Sequence, residues 1–443
     1  MRRHGQTQGT LPGRSAGLFA ALRVENFRLY FTGQAISLIG TWMQSVALVW
    51  LVLEITGSGT MLGLVVAAQF LPVLLLGAYA GLMVDRLNKR RLLLATQTAM
   101  ALLALLLGVL TVTHTVQLWM IFAIAALFGC VNSLDNPARQ SFVMEMVGEG
   151  RVQNAVSLNS AMVNASRAVG PAMAGGLIAT VGVGICFLIN AGSFIAVLTA
   201  LSLMHVSDLR PTEPVSRERG QLREGFRYVR ATVGLLVPLL MMALIGTLAY
   251  EFQVVLPLLA RVTLHGGAET YGFMTAAMAV GAIAGGLYVA TRERTGLLPL
   301  TVAAAGFGVA IIAAALAPSL GVELAVLPIV GFASTSFLAT GNSTLQLSSD
   351  PRLRGRVMAL WSVTFLGSTP IGGPILGAVS QYIGPRFGLA VGGLACVLAA
   401  VLGAAVLSRV PFSERYAPQP EEAEPGRGGD QATTLAATSL PEL

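Results

Sequence analysis

The sequence predicts an all-α membrane protein with twelve transmembrane helices. Only 11% of its 443 residues are charged and 54% are hydrophobic, whereas a soluble globular chain carries about 25% charged residues. The apolar residues are grouped in runs long enough to cross a bilayer, and the basic residues are concentrated in alternate loops between these runs. Together, these observations indicate a chain that uses lipid as its solvent along much of its length.

The apolar runs define the predicted spans in chain order. A helix needs about 20 predominantly apolar residues to cross the hydrocarbon core, so twelve such helices would use a little over half of the chain, in agreement with the hydrophobic fraction. The predicted spans are 28–53, 60–84, 92–112, 117–136, 157–179, 183–205, 232–260, 270–290, 297–317, 322–346, 357–381 and 388–408.

The basic residues orient these spans. With the N-terminus in the cytoplasm, the loops and tails on that side contain nearly all of the 28 Lys and Arg residues, and only Arg167, Arg261 and Arg386 lie elsewhere. Cytoplasmic loops carry such an excess of basic residues. The pattern predicts a multi-pass protein of the inner membrane with both termini cytoplasmic. The net charge of +7 then reflects orientation in the lipid bilayer, and no nucleic-acid partner is predicted.

A weak internal repeat and one polar stretch divide the chain. The segments Gly81-Leu82-Met83-Val84 and Gly170-Pro171 recur as Gly286-Leu287-Tyr288-Val289 and Gly373-Pro374, at a nearly constant separation. Parallel repeats are typical of a large transporter class with its substrate site between the halves. The predicted organisation is a cytoplasmic N-terminal tail (1–27), an N-terminal six-helix bundle (28–205), a central cytoplasmic loop (206–231), a C-terminal six-helix bundle (232–408) and a disordered cytoplasmic tail (409–443).

The loop after the second span resembles the signature loop of the major facilitator superfamily. It reads Gly81-Leu82-Met83-Val84-Asp85-Arg86-Leu87-Asn88-Lys89-Arg90-Arg91. Asn88 replaces the family's turn glycine, and asparagine also tolerates a left-handed backbone. The resemblance implies the major facilitator fold and a cytoplasmic gate in which an acid faces the N-terminus of another helix. The implied gate residues are Gly81, Asp85, Arg86, Arg90 and Arg91, although the basic residues alternatively serve only to anchor the topology.

Four other segments are similar to the branch that contains enterobactin exporters and macrolide efflux proteins. They are Asn26-Phe27-Arg28-Leu29-Tyr30, Gly40-Thr41-Trp42-Met43-Gln44, Asp135-Asn136-Pro137-Ala138-Arg139-Gln140 and Asn154-Ala155-Val156-Ser157-Leu158-Asn159-Ser160. Because members of this branch are proton-driven exporters, the resemblance implies export and proton coupling. The segment 170–176 is similar to the Gly-Pro antiporter motif with one residue more, but its small residues and proline equally suit close helix packing.

Polar residues of the first span lie on one helix face. Gln34, Ser37, Thr41 and Gln44 are separated by steps of three and four residues, which is the spacing of neighbours along a helix. A face this polar is not expected to contact lipid. It is predicted to line a central substrate cavity, with hydrogen bonding between helices as the alternative.

Ionisable residues inside the predicted spans are few. Arg167 lies in the fifth span, Glu251 in the seventh and Asp135 near the inner end of the fourth. A charge in hydrocarbon costs at least about 2.5–3.5 kcal/mol, so each residue is a candidate for function. Arg167 and Asp135 are candidates for an ion pair on the cytoplasmic side, either structural or part of the gate.

Glu251 is the leading candidate for proton coupling, and Asp135 is the second. No basic residue is evident at the depth of Glu251, and a buried acid without a cation favours its neutral form, which suits reversible protonation. Thr247 and Tyr250, one turn before and beside Glu251, are predicted to line the substrate cavity. Alternatively, Glu251 is permanently protonated and hydrogen-bonded to a neighbouring helix.

No sequence feature indicates an enzyme. The four histidines lie in the tail or at span edges, the three cysteines lie within apolar runs, and no phosphate-binding loop is evident. No metal or other cofactor is therefore predicted. The predicted function is a monomeric secondary transporter, namely a proton-coupled exporter of small amphipathic molecules of drug, macrolide or siderophore type. The alternative is an importer of the same fold, or a membrane sensor or scaffold that does not transport.

Overall fold

The structure is a computed structural model that describes residues 19–210, 221–292 and 295–409, and within these ranges it is helical without β-strands. The helices are α1 (Glu25–Thr56), α2 (Gly59–Arg86), α3 (Lys89–Val112), α4 (Leu118–Val147), α5 (Val152–Val181), α6 (Val183–Leu203), α7 (Gln221–Ala231), α8 (Val233–Ala249), α9 (Phe252–Leu258), α10 (Ala268–Ala290), α11 (Leu297–Ala315), α12 (Leu320–Ser348), α13 (Arg354–Tyr382) and α14 (Pro385–Leu407).

Among the described residues, eleven helical segments are long and apolar enough to cross a membrane, with α8, α9 and the turn that follows forming one of them. The remaining predicted span is α5, which has 30 residues but a more polar sequence. Because α5 packs against α1 on one side and α10 on another, much of its surface does not face lipid. The predicted all-α membrane fold is therefore confirmed, with α5 assigned by its length and packing.

The spanning helices are grouped in two halves. In the first half, α1 packs against α5 and α6, α2 against α4, and α3 against α6. In the second half, α10 packs against α12, α11 against α14, and α8 against both α13 and α14. The halves meet along two extended helix pairs, α2 with α13 and α5 with α10.

The two ends of the bundle differ in charge. We call the end at which α1 begins the basic end, because the connections there carry the run from Arg86 to Arg91 and the arginines 352, 354 and 356. The other end is called the opposite end.

The halves approach each other most closely towards the opposite end. A methyl group on Gly63 of α2 would overlap the carbonyl oxygen of Gly373 of α13. Near the end of this seam, Gln381 Oε1 accepts hydrogen bonds from Ser58 Oγ (2.7 Å) and the Thr60 backbone N–H (3.0 Å). Glycines thus allow the two backbones to touch, and Gln381 links their ends.

The second seam joins α5 to α10 and also lies towards the opposite end. A Cβ atom on Gly272 would lie 2.6 Å from the carbonyl oxygen of Pro171, and one on Gly175 would lie 2.9 Å from the Cα atom of Glu269. The Gly-Pro segment of α5 therefore has a clear packing role, whatever its effect on transport. The two seams together hold the halves against each other away from the basic end.

The structure differs from the sequence analysis in three local features. The predicted seventh span is broken between α8 and α9, and a π-helical turn follows at Leu259–Thr263. The predicted central loop contains α7, where the Tyr228 hydroxyl accepts a hydrogen bond from the Asp350 backbone N–H (3.2 Å). Asn88 has an extended backbone rather than a left-handed one, and its side chain caps α3. Residues 1–18, 211–220 and 410–443, which include most of both predicted tails, lie outside the described residues.

Candidate functional site

Tyr250 lies at the break in the seventh span, where it contacts other helices of the second half. Its hydroxyl donates a hydrogen bond to the carbonyl oxygen of Ser334 on α12 (2.7 Å). Its ring packs against Phe307 and Phe365, with centroid separations of 5.4 and 5.5 Å. In membrane transporters, interrupted helices often form the substrate and ion sites, because irregular backbone is tolerated only where protein or water surrounds it.

Glu251 follows Tyr250, and its side chain points towards α13 within the second half. Only 3% of the residue is exposed, and its carboxylate lies against Gly372 and Gly373 of α13, with Thr369 nearby. Within the described chain, Glu251 Oε1 has no hydrogen-bond partner. An adjoining cavity of about 10 Å³ is otherwise lined by apolar residues of α8, α9, α11, α13 and α14, and such a cavity holds about one water molecule.

Arg167 belongs to α5 of the first half. Its guanidinium lies over the ring of Trp42 on α1, with Cζ 5.1 Å from the ring centroid. The side chain is exposed and interacts electrostatically with Tyr250 of the second half. Because Tyr250 belongs to the opposing half, we infer that Arg167 lies on the side of α5 that faces that half.

The proposed pairing of Arg167 with Asp135 is not present. Asp135 is completely buried, and its Oδ2 atom lies 2.8 Å from Arg139 Nε, one helical turn further along α4. Its Oδ1 atom accepts hydrogen bonds from Thr96 Oγ1 (2.7 Å) and Gln97 Nε2 (2.8 Å) of α3. Arg139 lies one turn from Asp135 on the same helix, so it is a nearer partner for the carboxylate than Arg167 on α5.

A polar face of α5 includes Arg167 and was not predicted from the sequence. Its residues are Gln153, Ser157, Ser160, Asn164 and Arg167, all exposed or half-exposed. Their steps of four and three residues keep them on one side of the helix. The face runs from the basic end of α5 to Arg167. Its periodicity is the same as that of the polar face of α1, so the sequence contains the pattern that identifies this face.

The predicted cavity face of α1 lies mainly inside the first half. Gln34 and Ser37 are 2% and 1% exposed, and Gln44 accepts a hydrogen bond from Asn190 Nδ2 of α6 (2.6 Å). Thr41 is half-buried, and its hydroxyl donates to the Ser37 carbonyl oxygen (2.9 Å). The structure therefore uses Gln44 in hydrogen bonding between helices, the alternative that the sequence left open.

Thr247 lies one turn before Glu251 and is half-buried. Its hydroxyl donates a hydrogen bond to the Ala243 carbonyl oxygen (2.7 Å). A Cβ atom on Gly372 would overlap the Thr247 carbonyl oxygen, so this turn of α8 touches the α13 backbone directly. Its predicted part in the substrate cavity remains a prediction.

Side chains of the loop between α2 and α3 bind mainly within the first half. Arg90 donates hydrogen bonds to the carbonyl oxygens of Leu201 (2.7 Å) and Ser202 (3.1 Å) at the C-terminal end of α6. Arg86 and Arg91 are exposed, and Gly81 has open space beside it. The side chain of Asp85 lies outside the described residues. The contacts of Arg90 support a structural role at the end of α6, where a cation also interacts favourably with the helix dipole.

Lys89 of this loop forms a buried ion pair that the sequence analysis missed. Its Nζ atom lies 2.7 Å from Glu145 Oε1 of α4, and the two side chains are 7% and 8% exposed. Removing one partner of such a pair leaves an uncompensated buried charge, which costs about 3–5 kcal/mol.

We expect Lys89→Met to lower the thermal unfolding midpoint of the purified protein, and Lys89→Met with Glu145→Met to recover most of the loss. The midpoint is measured with a thiol-reactive dye, since Cys186 and Cys396 are buried and react on unfolding. Arg91→Met serves as the exposed control. Equal midpoints for Lys89→Met and Arg91→Met would contradict this role of the pair.

An apolar groove of about 720 Å³ also lies between α5 and α10. It is lined by Ala168, Val169, Ala172, Met173, Phe273, Ala276, Ala277, Val280 and Leu324. Because none of these side chains is polar, the groove suits lipid tails and offers no orienting contact to a ligand. Among the described residues, no cluster of His, Cys, Asp or Glu is suited to hold a metal ion.

Two six-helix halves joined by two helix pairs, with a broken span and an arginine in the space between them, have the architecture of a secondary transporter. The family model described as "Transmembrane secretion effector" matches residues 16–427. The chain therefore belongs to this family of the major facilitator superfamily, whose members are transporters and not enzymes.

Individual relatives agree with this assignment. The staphyloferrin A transporter of Staphylococcus aureus is 29% identical over 258 residues, which cover 58% of this chain but only 64% of that protein, less than two thirds of its length. The multidrug efflux pump Tap of Mycolicibacterium fortuitum is 27% identical over 355 residues, covering 78% of this chain and 87% of that protein.

A solved structure shares the fold. The bacterial homologue of the human lysosomal transporter Spinster, in an inward-facing and occupied conformation, superimposes with a TM-score of 0.68. The superposition covers 89% of this chain and 99% of that chain, at 17% sequence identity.

Proposed function

We propose that this protein is a secondary active transporter that exports small amphipathic molecules across the inner membrane by alternating access. The observation that carries the proposal is that Arg167 of the first half interacts electrostatically with Tyr250, which lies at the broken span of the second half. Both seams lie towards the opposite end, whereas the polar face of α5 leads from the basic end to Arg167. A site closed at one end and approached from the other is what alternating access requires.

The direction of transport rests on the basic end and on the relatives. Loops rich in Lys and Arg are retained in the cytoplasm, so the basic end is proposed to be cytoplasmic and the structure to be inward-facing. Tap is named an efflux pump, which supports export. The chain is proposed to act as a monomer, because each chain contains both halves of the site.

Proton coupling is the second part of the proposal, with Glu251 as the proton carrier. In this conformation its carboxyl is buried against Gly372 and Gly373, and the residues around it are apolar except for Thr369. Removing a carboxylate from water without a cation is costly, so the neutral acid suits this site. Asp135 is less suited, because its carboxylate is already paired with Arg139 and accepts hydrogen bonds from Thr96 and Gln97.

A cytoplasmic gate at the loop between α2 and α3 is the third part. Asp85 and Arg86 lie at the end of α2 on the basic end, away from both seams. When the halves close on that side, an acid there would approach the N-terminal end of α13 (Arg354–Tyr382), where partial positive charge favours it. Gly81 and Arg91 belong to the same proposal, with Arg90 supporting α6.

The transport proposal is tested with everted membrane vesicles. A labelled panel that includes a macrolide, a siderophore and several amphipathic dyes is offered with and without an imposed proton gradient. We expect at least one compound to accumulate in the vesicles, and the accumulation to need the gradient. Accumulation only in right-side-out vesicles would indicate an importer, and no transport in either orientation would favour a sensor or scaffold.

The orientation has its own test. We expect a reporter fused after Arg415 to be active in the cytoplasm and one inserted near Gly266 to be active outside the inner membrane, because nearly all basic residues lie on one side. Paired phosphatase and fluorescent-protein fusions measure both positions. The reverse pattern would invert the proposed orientation and would remove the basis for calling the gate cytoplasmic.

A further inference from the structure

We infer that Arg167 is the anion-binding group of the transport site, so that the substrate joins a carboxylate or similar anionic group to an apolar body. The inference rests on the proposed transport function and specifies its substrate class. It replaces the interpretation of Arg167 as a gate residue, because the guanidinium lies over Trp42 and Asp135 is paired with Arg139 instead.

Arg167 has no ion-pair partner in the described part of the chain. By contrast, Asp135 is paired with Arg139 and Glu145 with Lys89. Glu251 turns away into the glycines of α13. A guanidinium keeps its charge in proteins, so the space between the halves has a cation that a bound anion can neutralise.

Trp42 restricts the position of the guanidinium. The Arg167 Cζ atom lies over the ring, 5.1 Å from its centroid, where the cation is attracted to the ring. The N–H groups of a guanidinium lie in its plane and point outward from its edge, where they match the two oxygens of a carboxylate. Because Arg167 makes no ion pair within the described residues, these N–H groups are open to an anionic ligand while Trp42 restricts the movement of the cation.

The surroundings of Arg167 combine aromatic and polar groups. Its guanidinium lies over Trp42, and Tyr250, whose hydroxyl is already bonded to Ser334, interacts with it electrostatically from the second half. The polar face of α5, ending in Asn164, approaches from the basic end. A cation beside an aromatic ring and reached along a polar path fits a molecule with one anionic group and an apolar remainder.

The test measures the charge preference of the site directly. Cys130, Cys186 and Cys396 are replaced, and Asn164→Cys is introduced one turn from Arg167. The protein in nanodiscs is then labelled with methanethiosulfonate reagents bearing a sulfonate or a trimethylammonium group. We expect the ratio of anionic to cationic labelling rates to fall about tenfold in Arg167→Gln, and to be retained in Arg167→Lys.

Matched controls separate this effect from a structural one. The same ratio measured at Ser408→Cys, an exposed position at the basic end, should be unchanged by Arg167→Gln. An unchanged ratio at Asn164→Cys would overturn the inference, as would failure of both reagents to reach this cysteine. Arg167→Lys preserves the charge, so a ratio that falls equally in both variants would assign Arg167 to packing against Trp42.

Ligand class is measured by protection of Asn164→Cys from labelling. Naphthalene-1-acetate should protect, and the uncharged naphthalene-1-acetamide should not, with the difference lost in Arg167→Gln. Equal protection by both compounds would contradict an anion site. If the vesicle panel finds no transport but labelling follows Arg167, the transport proposal fails and the anion site stands. If transport occurs but the ratio of labelling rates does not depend on Arg167, only this inference fails.

Discussion

Glu251→Gln should bind substrate and exchange it for substrate across the membrane, but net export against a gradient should fall to background and lose its dependence on pH. The amide is nearly isosteric with the neutral acid and keeps the contacts with Gly372 and Gly373. It cannot release a proton on one side and regain it on the other, which a carrier must do as water access changes. Uptake into everted vesicles at a series of pH values measures net export, and counterflow measures exchange.

Glu323→Gln is the matched control for this prediction. Glu323 is also a buried acid, 1% exposed, but it lies in the first turn of α12 and interacts electrostatically with Arg386. We expect the Glu323→Gln variant to show net export with the pH dependence of the wild type. If Glu251→Gln pumps at the wild-type rate and pH profile, Glu251 is a permanently neutral structural acid, and Asp135 becomes the next acid to test.

Gly63→Val should prevent the opposite end from closing. A side chain on Gly63 would overlap the backbone of Gly373, and a backbone atom cannot move aside as a flexible side chain does. Forcing extra atoms into a packed contact costs about 1–3 kcal/mol, which shifts a two-state population by about 5- to 150-fold. Transport should fall accordingly, because the inward-facing form can no longer shut its other end.

The population shift is read with a short thiol cross-linker between Ser58→Cys and Gln381→Cys, at the end of the α2–α13 seam. Cross-linking should drop strongly in Gly63→Val. Gly77→Ala is the matched control, since Gly77 lies on the same helix with no atom within 4 Å of an added Cβ, and it should cross-link normally. Wild-type cross-linking in Gly63→Val would mean that the seam is not the closure contact.

Several features of this protein could be read from its sequence because they depend on local composition. Length and apolarity identified the spans, with α5 the most polar of them, and the similarity of the loop at Gly81–Arg91 to the superfamily signature identified the family. These properties require no knowledge of which helices touch. They are set by the transfer of each segment from water to lipid.

Helix periodicity predicted only part of the candidate site. It put Gln34, Ser37, Thr41 and Gln44 on one face of α1, but it did not reveal what that face contacts. The same spacing on α5 marks the polar face that includes Arg167. Both helices have a polar stripe, and only their rotation within the bundle decides which stripe meets another helix and which meets the space between the halves.

The sequence by itself determined the class of protein, its helical spans and the few ionisable residues that lie within them. The tertiary structure decided the partners of those residues: Arg139 for Asp135, Trp42 for Arg167, and the α13 glycines for Glu251. The reason is physical. Insertion into lipid is governed by each segment's own composition, whereas the partner of a buried charge depends on how helices distant in sequence pack together.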